Sequence, residues 1–186
     1  MDRVVCCVLC FLNQYAAPLH RLRSYQRMEN NTNPTQSRSG RKILADGMLG
    51  RLARWLRILG YDTAFESAAD DWALVRRARA EGRLLLTRDR QLAGRRGVSA
   101  LLIESEELAA QVRQVVASVG PSLDGPFTRC PLCNERLVLL SHEAARERVP
   151  PHVHRSQREF RLCPACGRVY WRGTHWDHMK ETLGEW

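Results

Sequence analysis

Aspartates stand at the points where predicted strands give way to predicted helices. Asp46 directly follows the short apolar run ILA, and Asp89 follows RLLLT after a single arginine. Asp70 and Asp71 open the helix that comes after YDTAF. Several carboxylates that converge repel one another unless a cation joins them, and oxygen ligands suit Mg²⁺ or Mn²⁺. A pair of such ions about 4 Å apart can activate a water and stabilise the leaving oxygen of a phosphodiester, so the aspartates predict metal-dependent phosphoryl transfer.

Helix capping is the competing interpretation of the same residues. An aspartate before a helix is a common N-cap, which contributes about 1 kcal/mol by accepting backbone N–H bonds. Asp46, Asp71 and Asp89 each fit that role, and for any one of them taken alone capping is the simpler explanation. Three sites on one sheet edge are more than capping requires, so the joint pattern favours a metal site.

Positive charge is abundant in the chain and favours a polyanionic partner. The formal net charge is +9, and almost all the basic residues are arginines, with Lys42 and Lys180 the only lysines. GC-rich coding explains that bias as readily as phosphate binding does, and a solvated arginine is an ordinary surface feature. Guanidinium groups can nevertheless hold phosphates through paired hydrogen bonds. The candidates for substrate binding, close to the aspartates in sequence, are Arg51, Arg54, Arg88 and Arg90.

Two C-x-x-C pairs near the carboxyl end have the spacing of zinc knuckles. Two such turns present four thiolates to one tetrahedral Zn²⁺, with Zn–S distances near ~2.3 Å. Four sulfurs fill the coordination sphere, so the predicted site is structural. Disulfides or redox motifs are the alternative, which the lack of a convincing export signal disfavours. The predicted ligands are Cys130, Cys133, Cys163 and Cys166.

Histidines and aromatic residues also collect around the cysteine pairs. One histidine could replace a cysteine as a ligand, although four cysteines already suffice. Rings placed among cations can stack on unpaired bases, but packing of these rings against the first domain is the simpler interpretation. The histidines are His142, His152, His154, His175 and His178, and the aromatic residues are Tyr170, Trp171 and Trp176.

Strand and helix patterns alternate through the segment that carries the aspartates. This alternation predicts an α/β fold, with a central parallel sheet between helices and with the carboxyl ends of the strands at one edge. Gly60 and Gly82 stand where C-terminal helix caps belong. The predicted strands cover 43–46, 61–65, 83–87 and 98–103, and the predicted helices cover 47–60, 69–82, a short stretch through 92–93, and 106–120.

Composition divides the chain into four segments. We expect an extension that is disordered or misannotated at 1–40, an α/β domain at 41–120, a linker at 121–129 and a cysteine-bearing domain at 130–180. The apolar stretch at 4–12 is short and precedes a poor cleavage site, so a misassigned start codon explains it better than an export or transit signal. No apolar run approaches the roughly 20 residues of a membrane span, and we expect a cytoplasmic protein.

Four motifs together resemble the Mut-seven C-terminal RNase domain family. They are ADGMLGRLARWLRILGYDT, LLLTRDRQL, RCPLCN and FRLCPACGRVYWRGTHWDHM, in unbroken order over roughly 43–180. The resemblance implies a PIN-like three-layer domain followed by a small zinc ribbon, and a ribonuclease activity on single-stranded RNA. The family's acidic positions fall on Asp46, the Asp70–Asp71 pair and Asp89.

The sequence therefore leaves three functions open, the third of which is an interaction protein whose ribbon docks a protein partner. The first is a metal-dependent endoribonuclease that uses Mg²⁺ or Mn²⁺ at the aspartates and Zn²⁺ in the ribbon. The alternative is an RNA-binding zinc-ribbon module that does not cut, in which the acidic residues serve only as helix caps.

Overall fold

The computed structural model describes residues 6–7 and 40–171, which form two four-stranded sheets and the helices packed on them. The strands are β1 (Cys6–Cys7), β2 (Ile43–Ala45), β3 (Thr63–Phe65), β4 (Leu84–Thr87), β5 (Ala100–Leu102), β6 (Val138–Leu140), β7 (Phe160–Leu162) and β8 (Val169–Trp171). The helices are α1 (Gly50–Ile58), α2 (Asp71–Glu81), α3 (Arg90–Ala93), α4 (Leu108–Val119), α5 (His142–Ala145) and α6 (Pro151–Ser156).

The first sheet is parallel throughout and has the order β3-β2-β4-β5. Its strands alternate with helices along the chain, as the sequence pattern predicts, so the expected α/β fold is confirmed. The central pair is β2 and β4, in which Ala45 lies opposite Leu86. The residues that follow these two strands therefore emerge side by side at the carboxyl edge of the sheet.

Helices cover both faces of the parallel sheet because its central strands are apolar on both sides. Ile43 and Leu86 pack on one face against α1 and α4, in a core that includes Leu52 and Val112. Leu44 and Leu85 pack on the other face, in a second core with residues of α2 and α3, namely Leu74, Val75, Ala78 and Leu92. Continuous apolar strands are typical of parallel sheets that are buried on two sides.

The second sheet carries the cysteine pairs and has the order β1-β8-β7-β6. Strands β6, β7 and β8 are antiparallel neighbours, and β1 runs parallel to β8. Helices α5 and α6 fall between β6 and β7 and contribute Ala145 and Val153 to a small core with Phe160. Three short antiparallel strands with a cysteine cluster are consistent with a zinc ribbon.

Helix α1 and the ribbon share a buried core. Ile58 of α1 packs with Phe127, Leu137 and Tyr170, and the backbone N–H of Phe127 donates to the carbonyl of Ile58 at 2.8 Å. Phe127 lies in the segment that the sequence predicts to be a linker, and 2% of it is exposed. The ribbon is therefore packed directly on the first helix of the parallel-sheet unit.

None of the helices in 40–171 has the length and apolar content that crossing a bilayer requires. Three residues with predicted roles, His175, Trp176 and His178, lie outside the described residues, as does most of the apolar stretch at 4–12.

Candidate functional site

Asp46 is the buried carboxylate at the carboxyl edge of the parallel sheet. It directly follows β2, and only 5% of it is exposed. Its Oδ1 accepts from the N–H of Met48 at 3.0 Å, while its own N–H donates to the carbonyl of Leu86 at 3.1 Å. Asp46 therefore caps the 3-10 turn at Gly47–Leu49 and is anchored to the neighbouring strand β4.

The sequence after Asp46 allows a close approach between loops. A Cβ on Gly47 would lie 2.9 Å from the carbonyl oxygen of Ser67, which is tighter than side chains tolerate. Ser67 belongs to the loop that leads from β3 towards α2, and Asp70 lies three residues further on. The glycine in ADGML thus brings the loop of Asp70 near the turn of Asp46.

Asp89 stands at the end of the adjacent strand β4. Its Oδ1 accepts from the N–H groups of Gln91 and Leu92 at 2.6 and 3.1 Å, which makes it the N-cap of α3. Its own N–H donates to the hydroxyl of Thr87 at 3.0 Å, and Thr87 is fully buried. The threonine in LLLTRDRQL therefore fixes the backbone from which the Asp89 carboxylate projects.

Asp70 and Asp71 have different surroundings although they are neighbours. Asp70 caps α2, since its Oδ1 accepts from the N–H of Ala73 at 2.7 Å. Asp71 lies in the first turn of that helix, and its Oδ2 is 3.0 Å from a guanidinium nitrogen of Arg95. The expectation that Asp71 caps this helix is therefore wrong: Asp70 is the N-cap, and Asp71, one residue further on, is in an ion pair.

Capping leaves one oxygen of each capping aspartate uncommitted. Among the described residues, no hydrogen bond is made to Oδ2 of Asp46, Asp70 or Asp89. Capping and metal binding are therefore compatible at these residues. The aspartates do not form a group of three or more ligand atoms mutually within metal-binding reach; within the described part of the chain, only the cysteines do.

Three of the four candidate arginines are available to a ligand. Arg51, Arg54 and Arg90 are exposed and form no ion pair with a described residue. Arg51 and Arg90 lie in the first turns of the helices that follow β2 and β4, so both lie at the aspartate edge. Arg88 differs, because its guanidinium is 2.7 Å from a carboxylate oxygen of Glu106.

Two acidic residues at the same edge were missed in the sequence analysis. Glu66 directly follows β3, its N–H donates to the carbonyl of Ala45 at 3.3 Å, and its carboxylate pairs with Arg77. Glu104 comes shortly after β5 and is exposed. The sequence does carry a signal for them, because each residue immediately follows a predicted strand, although neither begins a helix.

The four cysteines form a compact group at the junction of the two sheets. Their sulfurs all lie within 4.8 Å of one another, with Cys130 and Cys166 at 3.7 Å and Cys133 and Cys163 at 3.4 Å. All four thiols are free. Zn–S bonds of ~2.3 Å in a tetrahedron place sulfurs about 3.8 Å apart. The cluster therefore has the donor set and the size that zinc requires.

The two knuckles have the same backbone geometry. The N–H of Asn134 donates to the carbonyl of Cys130 at 2.9 Å, and the N–H of Gly167 donates to that of Cys163 at 2.9 Å. Asn134 and Gly167 have φ of 67° and 70°, in the left-handed region that asparagine and glycine tolerate best. The polar and glycine residues after the C-x-x-C pairs are thus required by the turn.

Burial and local hydrogen bonds shift the pKa values of the cysteine thiols in different directions. Burial raises the pKa of Cys133 and of Cys163 above the ordinary value. Burial also acts on Cys166, but hydrogen bonds, led by one from the backbone of Arg168, outweigh it and lower the pKa of Cys166 to about 7. The hydroxyl of Tyr170 lies 3.0 Å from the sulfur of Cys130 and can donate to a thiolate there.

Among the described residues, neither the histidines nor the aromatic residues of the ribbon add a ligand atom to the cysteine cluster. Tyr170 and Trp171 are 0% and 4% exposed, so their packing role is the one that the structure supports. His142 and His154 instead pair with each other, with each ring nitrogen Nε2 at 2.9 Å from the other residue's carbonyl. His152 is exposed and lies outside the cysteine cluster.

The family model described as Mut7-C RNAse domain matches residues 41–183. The matched segment contains the whole parallel sheet, all the candidate aspartates and all the cysteines of the cluster. No curated protein gives a match to the chain.

Proposed function

We propose that the chain, which belongs to the Mut7-C RNAse domain family, is a metal-dependent ribonuclease of single-stranded RNA. Family membership gives the coarser statement, a ribonuclease-like function with RNA as the implied substrate. The metal requirement, the preference for unpaired RNA and the roles of individual residues are the parts that we propose.

One structural observation carries the proposal. Asp46 and Asp89 follow adjacent parallel strands, and in each the cap uses Oδ1 and leaves Oδ2 without a partner among the described residues. Asp70 follows the strand on the other side of β2 and has the same arrangement. These carboxylates, together with Asp71, are the proposed catalytic acidic residues.

A divalent cation at this edge would polarise the scissile phosphate and make a bound water more acidic. Carboxylate oxygens suit Mg²⁺ or Mn²⁺. The backbone anchors of Asp46 and Asp89 would keep both carboxylates in place while the substrate binds. Arg51 and Arg90, at the starts of α1 and α3, would hold the flanking phosphates, and Arg54 and Arg88 are the further candidates for phosphate contacts.

The cysteine cluster supports a structural role for zinc. It packs against Ile58 of α1 and the ribbon core. A Zn²⁺ held by four sulfurs has no position open for substrate. Free thiols in this arrangement also accord with a reducing compartment, and we propose a cytoplasmic location on that ground.

The test is cleavage of labelled single-stranded RNA with Mg²⁺ or Mn²⁺, in native protein, Asp46→Asn and Asp89→Asn. Both variants should lose cleavage, while Glu147→Gln, which neutralises an exposed acid in the ribbon, should retain it. Asparagine caps helices about as well as aspartate, so Asp89→Asn should unfold like the native chain, whereas Asp89→Ala should lose about 1 kcal/mol. Undiminished cleavage by Asp89→Asn would contradict the proposal.

A second function, RNA binding without cleavage, is favoured by the fact that three of the aspartates already act as caps. It predicts that RNA binding is unchanged when Mg²⁺ and Mn²⁺ are removed by dialysis, which leaves a tight zinc site loaded. It also predicts no metal-dependent products. Binding without cleavage in the native chain would select this function.

A further inference from the structure

Trp72 is a large aromatic residue that the fold leaves in solvent at the edge of the candidate site. It is the second residue of α2, directly after Asp71, and it is 70% exposed. The rings that the sequence analysis considered for base stacking, Tyr170 and Trp171, are buried instead. Trp72 is thus the exposed tryptophan of the described residues, and it stands beside the proposed catalytic aspartates.

Arg95 holds one side of the Trp72 ring. The guanidinium carbon of Arg95 lies 5.6 Å from the ring centroid, within the range of a cation–π contact. Asp71 in turn fixes Arg95, since its Oδ2 is 3.0 Å from the guanidinium nitrogen. The three side chains form a row in which the carboxylate orients the cation and the cation supports the ring.

We propose that Trp72, supported by Arg95, is a platform on which an unpaired RNA base stacks next to the aspartate edge. The proposal rests on the proposed function for its choice of ligand, and it adds a residue that determines specificity. Every nucleobase presents a π-face, so a tryptophan can accept any base without reading the sequence. A base inside a duplex has its faces covered by neighbours, so the platform favours single strands.

Arg95 gives the platform a second contact with the same ligand. A guanidinium beside a stacked base lies close to the phosphates on either side of that nucleotide, where a positive charge is favourable. Its ion pair with Asp71 limits how far it can move. The aromatic contact depends little on salt, whereas the phosphate contact weakens as salt rises.

The test measures binding of a short single-stranded RNA that carries one 2-aminopurine, whose fluorescence is quenched when it stacks. The protein carries Asp89→Asn so that the RNA remains intact. We expect Trp72→Ala to weaken binding about tenfold and to abolish the quenching at one position of the probe. Trp72→Phe should restore most of both, because phenylalanine keeps a stacking face.

Matched controls separate the platform from general charge and apolar surface. Arg95→Gln should weaken binding and reduce quenching, whereas Arg96→Gln removes the same charge from an exposed neighbour and should affect only the salt-dependent part. Leu139→Ala removes a residue that is 76% exposed on the ribbon and should leave the quenching unchanged. Equal affinity and equal quenching in native and Trp72→Ala proteins would overturn the proposal.

Failure of this inference can be told apart from failure of the proposed function. If cleavage requires the metal and Trp72→Ala does not change its KM, the ribonuclease activity is supported and the stacking platform is contradicted. If the quenching depends on Trp72 but the native chain does not cleave RNA, the stacking platform is supported and the ribonuclease activity is contradicted. A native chain that binds no single-stranded RNA would overturn the platform as well.

Discussion

The guanidinium of Arg57 donates a hydrogen bond to the carbonyl of Leu132 at 2.8 Å, and so joins α1 to the first zinc knuckle. The same nitrogen also donates to the carbonyl of Pro131 at 3.1 Å, and Nε donates to Thr63 in β3 at 2.7 Å. Arg57 is 6% exposed. Burial lowers the pKa of its guanidinium, and the nearby thiols of Cys130 and Cys133 oppose that shift.

Replacing Arg57 should loosen the contact between the helix and the knuckle. Arg57→Met keeps the volume but leaves three backbone carbonyls without their donor, and we expect a loss of about 2–4 kcal/mol in the free energy of unfolding. Arg54→Met, on the exposed side of the same helix, should change it by less than about 0.5 kcal/mol. Urea unfolding of the zinc-loaded proteins measures both. Equal stabilities would show that the shared core alone holds the ribbon.

Removal of zinc should destabilise both parts of the molecule, since they share a core around Ile58 and Tyr170. We expect about one zinc per chain by elemental analysis. That zinc should be lost in Cys163→Ser and retained in Cys10→Ser, which changes a cysteine outside the two C-x-x-C pairs. Thermal unfolding after chelation should begin at a lower temperature and recover when zinc returns. A parallel-sheet unit that unfolds at an unchanged temperature would mean that the two parts fold independently.

The sequence predicts the features that depend on neighbouring residues, and it misses those that depend on contacts between distant segments. The alternation of strands and helices, the caps at Asp46, Asp89 and Gly82 and the grouping of the four cysteines all depend on local spacing. Arg57 falls on the same helical stripe as Arg51 and Arg54, and nothing in that spacing indicates its burial. A contact with Leu132, 75 positions away, buries it.

Exposure at the candidate site also depends on packing that the sequence does not display. Tyr170 and Trp171 lie among cations in the sequence, as an RNA-stacking surface would, yet the ribbon buries both. Trp72 is exposed instead, because its place in the first turn of α2 directs its side chain away from the core. Only the three-dimensional arrangement distinguishes these rings.

Asp62 should make the protein more sensitive to acid. Burial raises the pKa of its carboxyl, but hydrogen bonds from Arg83 at 2.7 Å and Asn134 at 2.8 Å outweigh burial and bring the pKa below the ordinary value of 3.8. A carboxyl whose folded pKa is depressed contributes stability above its unfolded pKa and loses it as the pH falls through the folded pKa. The contribution should therefore be complete at neutral pH and disappear below about pH 4.

Asp62→Asn isolates this effect from the acid-induced loss of zinc, which both proteins share. The difference in unfolding free energy between native and Asp62→Asn proteins should be largest at pH 7 and should shrink below about pH 4. Glu147→Gln, at an exposed position in the ribbon, should show no such trend. A difference that stays constant with pH would show that Asp62 acts through shape rather than through charge.

Gly60 closes α1 where the chain passes closest to the segment that leads into the ribbon. Its φ is +91°, and a Cβ there would lie 1.9 Å from the carbonyl oxygen of Gly125. Gly82 ends α2 with φ of +61°, but its Cβ would meet nothing within 4 Å. Gly82→Ala should therefore cost about 1–2 kcal/mol, the penalty of the left-handed conformation alone. Gly60→Ala adds a backbone collision that forces 121–129 away from α1, so its loss of unfolding free energy should be clearly larger. Urea unfolding and zinc content, measured for both variants, separate conformational strain from disruption of the interface. Equal losses of unfolding free energy in the two variants would show that the segment at Gly125 moves aside without disturbing the ribbon.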